Sequence, residues 1–144
     1  MTRMTTDEFA ALAREKLPFT ELLGNPTIEQ IGSGTARIRM SHSDDFLRPG
    51  GTVSGPVLMG LADMAMYAVV LSLIGPVELA VTTSLNINFL RRPGPLDVIA
   101  EARILKLGKR LAVGEVALYS DGEDGMVAHV TATYSIPPDH TVRI

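Results

Sequence analysis

The stretch VLMGLADMAMYAVVLSLI, residues 57–74, is an almost unbroken run of apolar side chains with a single charge, Asp63. A helix that is apolar all round must be enclosed on most sides, because nothing else offsets the removal of so much side chain from water. A lone carboxylate on such a helix is costly to desolvate unless it has hydrogen bonds, a neutralising proton or a wet cleft beside it. Asp63 is the residue to explain. The run reaches only the lower end of the length a membrane span needs, and the charge counts against one. The flanking sequence reads as strands, which a single span would not need, so the expectation is a core helix and no membrane.

Upstream, Ser41 to Gly55 (SHSDDFLRPGGTVSG) is a loop, with Ser54 or Gly55 as N-cap and Pro56 in the first helical turn, where a missing N–H does least harm. Ile28 to Met40 reads as a strand interrupted at Gly32-Ser33-Gly34, with Ala36, Ile38 and Met40 alternating against Arg37 and Arg39. Thr5-Thr6-Asp7-Glu8 fits a capping box for a helix through Lys16, limited by Pro18.

Downstream of Gly75-Pro76 the period changes. Val77 to Arg91, Leu96 to Leu107, Leu111 to Tyr119 and Met126 to Ile136 read as strands, separated by turn-rich segments. Tight turns favour an antiparallel meander. The expectation is one α+β domain over residues 1–144, a sheet wrapped around a central helix at 56–74, with a loosely held tail from 138 to 144.

The chain has 144 residues and 46% hydrophobic composition, and its mean hydropathy is +0.21. A domain this small and apolar is expected to hide surface against copies of itself. A net charge of −3 argues against general nucleic-acid binding. Without cysteine there is no disulfide framework, thiol nucleophile or Cys-ligated zinc. The three histidines, at 42, 129 and 140, have no second ligand at matching spacing, so no metal site is expected. The charged N-terminus lacks the apolar core of a secretory signal, which fits a cytoplasmic protein.

Five local motifs stand in order around the helix. They are Gly55 to Asp63 ending in Leu61-Ala62-Asp63, Leu85-Asn86-Ile87-Asn88-Phe89-Leu90-Arg91, Ala100-Glu101-Ala102-Arg103, Gly108-Lys109-Arg110-Leu111-Ala112 and Val130-Thr131-Ala132-Thr133-Tyr134. Over roughly residues 15 to 137 the chain resembles the hotdog-fold acyl-CoA thioesterases of the phenylacetate-pathway (PaaI-like) type. That family usually carries His-Gly-Gly before the central helix and an Asn six residues upstream of the His. Here those positions fall on Ser54, Gly55, Pro56 and Arg48, while the acidic residue is kept as Asp63.

The resemblance implies hydrolysis of an acyl-CoA or aryl-CoA thioester, with no cofactor beyond the coenzyme A of the substrate. Asp63 is then general base or nucleophile, and the Gly55 N–H at the positive end of the helix is the oxyanion donor. Ser54 lacks an imidazole and is left to orient substrate or loop, or to cap the helix. Thr82 lies where some relatives place a hydroxyl that holds the attacking water; the plainer reading is the polar face of a strand. By strict alternation Thr82, Ser84, Asn86 and Asn88 share one face, and Val81, Thr83, Leu85, Ile87 and Phe89 the other. Arg91, Arg92, Lys106, Lys109 and Arg110 gather at strand ends and are candidates for the coenzyme A phosphates. Arg48 is a further candidate, for phosphate or as a partner of Asp63. In the family the clefts form at a dimer interface, so a homodimer or dimer of dimers is implied.

Two rivals follow from the same residues. A non-catalytic acyl-CoA-binding hotdog is motivated by the replaced His and Asn. A hydratase would need a His–acid pair, met only if His129 folded close to Asp63.

Overall fold

The computed structural model describes residues 1–138. Helix α1 (Thr6–Lys16) opens on the expected capping box: Thr5 Oγ1 accepts from the Glu8 N–H at 3.1 Å, and Glu8 Oε1 accepts from the Thr5 N–H at 2.9 Å. Phe9 and Ala13 form its buried stripe. Beyond Pro18 the chain makes one further turn, α2 (Phe19–Leu22).

The segment 28–40 is two strands rather than one interrupted strand. β1 (Thr27–Gly32) and β2 (Thr35–Met40) form an antiparallel hairpin, with Gly34 at φ +82° in its turn. Ala36, Ile38 and Met40 are buried, as their alternation with Arg37 and Arg39 requires. The loop 41–55 also has structure: a 3-10 turn at Asp44–Phe46 and a small hairpin of β3 (Leu47–Arg48) and β4 (Thr52–Val53).

Helix α3 (Gly55–Ile74) begins one residue before the expected 56, with Ser54 at the N-cap. Of the two N-cap candidates it is Ser54 that takes the position, although its hydroxyl makes no capping bond. By length and composition α3 is long and apolar enough to cross a membrane, yet 67% of its most apolar window is buried inside the fold. Leu58, Leu61, Met66, Val69 and Leu71 are fully buried, as are Val98, Val116 and Leu118 of the sheet. Each such side chain removed from water contributes about 1.5–3 kcal/mol, which is what holds helix and sheet together.

Four strands follow: β5 (Val81–Phe89), β6 (Val98–Leu107), β7 (Leu111–Ser120) and β8 (Ala128–Ser135). Residues 77–80, expected to belong to the first of them, form a turn instead. The sheet order is β1-β2-β6-β7-β8-β5, antiparallel throughout. Only β6-β7-β8 is a meander. β5 does not pair with β6, its neighbour in sequence, but crosses to the far side of β8 and becomes an edge. The reason is space: β2 already occupies the free side of β6. The result is the hotdog fold, a six-stranded antiparallel sheet around a long apolar helix. The tail expected to be loose lies, from residue 139 onward, outside the described residues, as does His140.

Candidate active site

Asp63 lies in the third turn of α3 and is partly buried. Its Oδ1 accepts two hydrogen bonds, from Thr82 Oγ1 at 2.5 Å and from the Tyr134 hydroxyl at 3.0 Å. The same phenol lies 3.2 Å from the Asp63 main-chain oxygen. Charge-assisted donors of this kind offset much of the desolvation cost that made the residue conspicuous. No ion pair reaches Asp63 among the described residues, so the expected alternative of an Arg48–Asp63 pair is corrected.

Thr82 reaches Asp63 because β5 is irregular. The pairing of β5 with β8 shifts between Thr82 and Ser84, a β-bulge that leaves Thr83 unmatched. The extra residue changes the phase of alternation. Upstream of it Thr82 faces the helix; downstream Leu85 and Ile87 do so, packed against the core. The expected grouping of Thr82 with Ser84, Asn86 and Asn88 is therefore wrong for Thr82.

Tyr134 is an inward residue of β8, only 2% exposed, and its ring stacks on Tyr67 at 6.2 Å between centroids. Burial, reinforced by the charge of Asp63, pushes its phenol well above the ordinary tyrosine range, so it stays a proton donor. In sequence Tyr134 is only the last residue of the motif Val130–Tyr134, with no role assigned to it. Its place on the inner face of the last strand, opposite a helix with one acid, was the available signal. Tyr67 is pushed up to about 12, foremost by burial and then by the charge of Glu78; its hydroxyl donates to the Glu78 carbonyl at 3.0 Å.

A cleft of about 450 Å³ opens over Asp63, Thr82 and Tyr134, walled by Leu17, Phe19, Met64, Leu79 and Val81 and rimmed by Lys16 and Glu78. Phe19 reaches it because Gly60, one turn before Asp63, has no side chain: a Cβ there would lie 2.8 Å from the Phe19 ring. This is an apolar groove with the Asp63 carboxylate on its floor, the arrangement a hydrolase needs to hold an acyl group beside a base.

The other candidates lie elsewhere. Gly55 is eight residues before Asp63, about 12 Å along a helix rising 1.5 Å per residue. It lines a second concavity with Arg48, Phe89, Arg91 and Arg92. The Phe89 ring covers Gly55 so closely that a Cβ would lie 3.1 Å from it, and the Arg91 guanidinium lies against Gly125. Lys109 and Arg110 occupy the β6–β7 turn, beside Leu111 and Ser135, whereas Arg91 follows Phe89 and Ala128 at the opposite end of the sheet. The basic residues thus form no single cluster: Arg48, Arg91 and Arg92 meet at the helix N-terminus, and Lys106, Lys109 and Arg110 do not join them.

His129 lies on the outer face of the sheet, where its Nε2 meets Glu115 at 2.8 Å. Glu115 is held below the usual carboxylate range by His129 first and Arg103 second. Among the described residues no histidine lines the Asp63 cleft, and His129, on the outer face, does not form the dyad with Asp63 that a hydratase would need. Among the described residues no group of His, Asp or Glu is placed to hold a metal ion.

Comparison with known proteins agrees with this architecture. Residues 50–127 match the thioesterase superfamily family model. The chain is 41% identical to a "putative thioesterase" from Silicibacter of known crystal structure, with a TM-score of 0.86 over 96% of this chain and 95% of that one. It is 30% identical to a mutant of the phenylacetic acid degradation protein PaaI from Thermus thermophilus, with a TM-score of 0.73 over 83% and 99% of the two chains. A "putative esterase" of Saccharolobus solfataricus shares 32% identity over 75% of this chain and 71% of its own length. The chain belongs to the thioesterase superfamily.

Proposed function

We propose that the protein hydrolyses an acyl-CoA or aryl-CoA thioester to the free acid and coenzyme A, with Asp63 as general base or nucleophile. Thioester hydrolysis in general is the family's chemistry; the substrate and the residues are the proposal. The observation that carries it is the Asp63 carboxylate, held by Thr82 and Tyr134 in an apolar cleft. A base there either takes a proton from water as the water attacks the carbonyl carbon, or attacks that carbon itself.

The oxyanion donor in this reading is the Gly55 N–H at the N-terminus of α3, where backbone donors and the helix dipole favour negative charge. Because Gly55 and Asp63 open onto different concavities of one chain, a complete site takes each from a different subunit. The outer edge of β5 offers the means: among the described residues it pairs with β8 on one side only, and Val81, Phe89 and Leu90 are more than half exposed. An unpaired strand of nine residues invites a copy of itself. Arg48, Arg91 and Arg92 of the subunit that donates Gly55 would then lie at the mouth of the cleft and take the coenzyme A phosphates. We place the reaction in the cytoplasm, without metal or further cofactor.

Ser54 stands where the family resemblance leads one to expect a His, and its hydroxyl is uncommitted as a cap. That favours a second reading, an acyl-CoA-binding protein without turnover. Thiol release from a panel of acyl-CoA esters separates the two, with wild type beside Asp63→Asn and fold and oligomeric state checked. A folded mutant that loses about a hundred-fold or more of kcat supports the hydrolase. Wild type that binds the esters yet releases no thiol above background supports the binding module.

A further inference from the structure

Both donors that reach Asp63 converge on one oxygen. Thr82 Oγ1 at 2.5 Å and the Tyr134 hydroxyl at 3.0 Å are bonded to Oδ1, and Oδ2 receives no hydrogen bond from the described residues. We infer that Tyr134 is a positioning residue that, together with Thr82, commits Oδ1 of Asp63 and leaves Oδ2 as the reactive oxygen facing the cleft. The inference rests on the proposal that Asp63 is the base or nucleophile.

The geometry of Tyr134 suits this task better than a merely structural one. Its hydroxyl meets both the side chain and the main-chain oxygen of the same residue, at 3.0 and 3.2 Å, so it fixes the carboxylate relative to the helix that bears it. Thr82 alone would leave the carboxylate free to turn about the bond to Cγ and exchange its two oxygens. A second donor from another strand removes that freedom. The Tyr134 ring is itself immobile, 2% exposed and stacked on Tyr67, which in turn meets Phe9 edge-on at 5.8 Å. Three aromatic residues from α1, α3 and β8 thus hold one hydroxyl in place. Reacting groups must be held close to their productive geometry, and a small misplacement costs rate rather than binding.

Tyr134 also lies beyond residue 127, where the family match ends. The residue is therefore assigned from the contacts of this chain.

The test is Tyr134→Phe, which keeps the stacked ring and removes only the hydroxyl. The expected result is a fall in kcat of about ten- to a hundred-fold, the range for one hydrogen bond to a charged group, with KM for the thioester unchanged. A crystal structure of the variant should show the Asp63 carboxylate in more than one orientation. Unchanged kcat in a wild-type enzyme that turns over would overturn the inference, as would an equal loss explained by a rise in KM. If wild type releases no thiol from any ester, the proposed reaction fails instead. The crystal structure then decides the positioning role by itself: one fixed carboxylate orientation in Tyr134→Phe overturns it, and a disordered carboxylate sustains it.

Discussion

Thr82 and Leu85 face the same side of β5 although they stand three positions apart, which plain alternation would put on opposite faces, because the bulge at Thr83 resets the alternation between them. The hydroxyl that bonds Asp63 and the side chains that seal the core are thereby carried by one strand. Thr82→Val, which keeps the shape and removes the donor, should reduce kcat about ten-fold while the melting temperature changes little. Steady-state kinetics with a calorimetric scan of each protein checks this. A loss of stability without a loss of rate would return Thr82 to the ordinary polar surface of a strand.

Arg48 and Arg92 meet beside Gly55 and make no ion pair among the described residues. Replacing both by Ala should raise KM for a coenzyme A thioester about two- to ten-fold at low ionic strength, the range for exposed phosphate contacts. The effect should shrink as salt is added and vanish with a thioester of a short neutral thiol. Equal effects on both substrates would mean that these arginines do not contact the coenzyme A phosphates.

The edge of β5 gives a prediction for assembly. In an antiparallel pairing of two copies about a two-fold axis, residues near the middle of the strand face their own counterparts. Asn86→Asp, next to the middle of β5, would place like charges close to each other there. Sedimentation should shift this variant toward monomer, and thiol release should fall with it, because Gly55 and Asp63 would no longer meet. A variant that stays fully associated would show that copies join through another surface.

Outside the cleft, Glu29 bonds Arg39 at 2.7 Å and Arg37 at 2.8 Å, and the two guanidinium groups, Arg39 foremost, hold its carboxyl below the usual range. A carboxyl lowered on folding adds stability above its unfolded pKa, and that contribution disappears as the pH falls through the folded value. Glu29→Gln should therefore melt slightly below wild type near neutral pH, and the two curves should converge as the pH falls below the usual carboxylate range. Thermal scans across that range check the sign. A gap that widens on acidification would contradict it.

Much of this was legible in the sequence. The composition of residues 57–74 identified the enclosed helix and singled out Asp63, because a charge among so many apolar side chains stands out in one dimension. What the chain pattern could not carry was the sheet order. The step of β5 past β8 depends on which strand edges are already taken, a property of the assembled layer and not of any local run. The bulge at Thr83 was hidden for a similar reason: β5 alternates in sequence, and the phase change exists only relative to β8. Tyr134 stands 71 residues from Asp63, and nothing local to either residue marks the pair. The basic residues misled because proximity in strand-end motifs was read as proximity in space, whereas neighbouring turns of an antiparallel sheet lie at opposite ends.

The sheet order also governs when the molecule can be finished. During synthesis β5 emerges well before β8, yet β8 is its only sheet neighbour among the described residues. Until the last strand is made, β5 has no partner within its own subunit and the adjoining side of α3 stays uncovered. Closing contacts this distant in sequence is slow. A ribosome that stalled before residue 128 would hold a chain with Asp63 and Thr82 present but the sheet open and the phenol missing. Folding and the completion of the surroundings of the Asp63 carboxylate therefore coincide in one late event, and a chain that lacks its last strand should be both aggregation-prone and inactive.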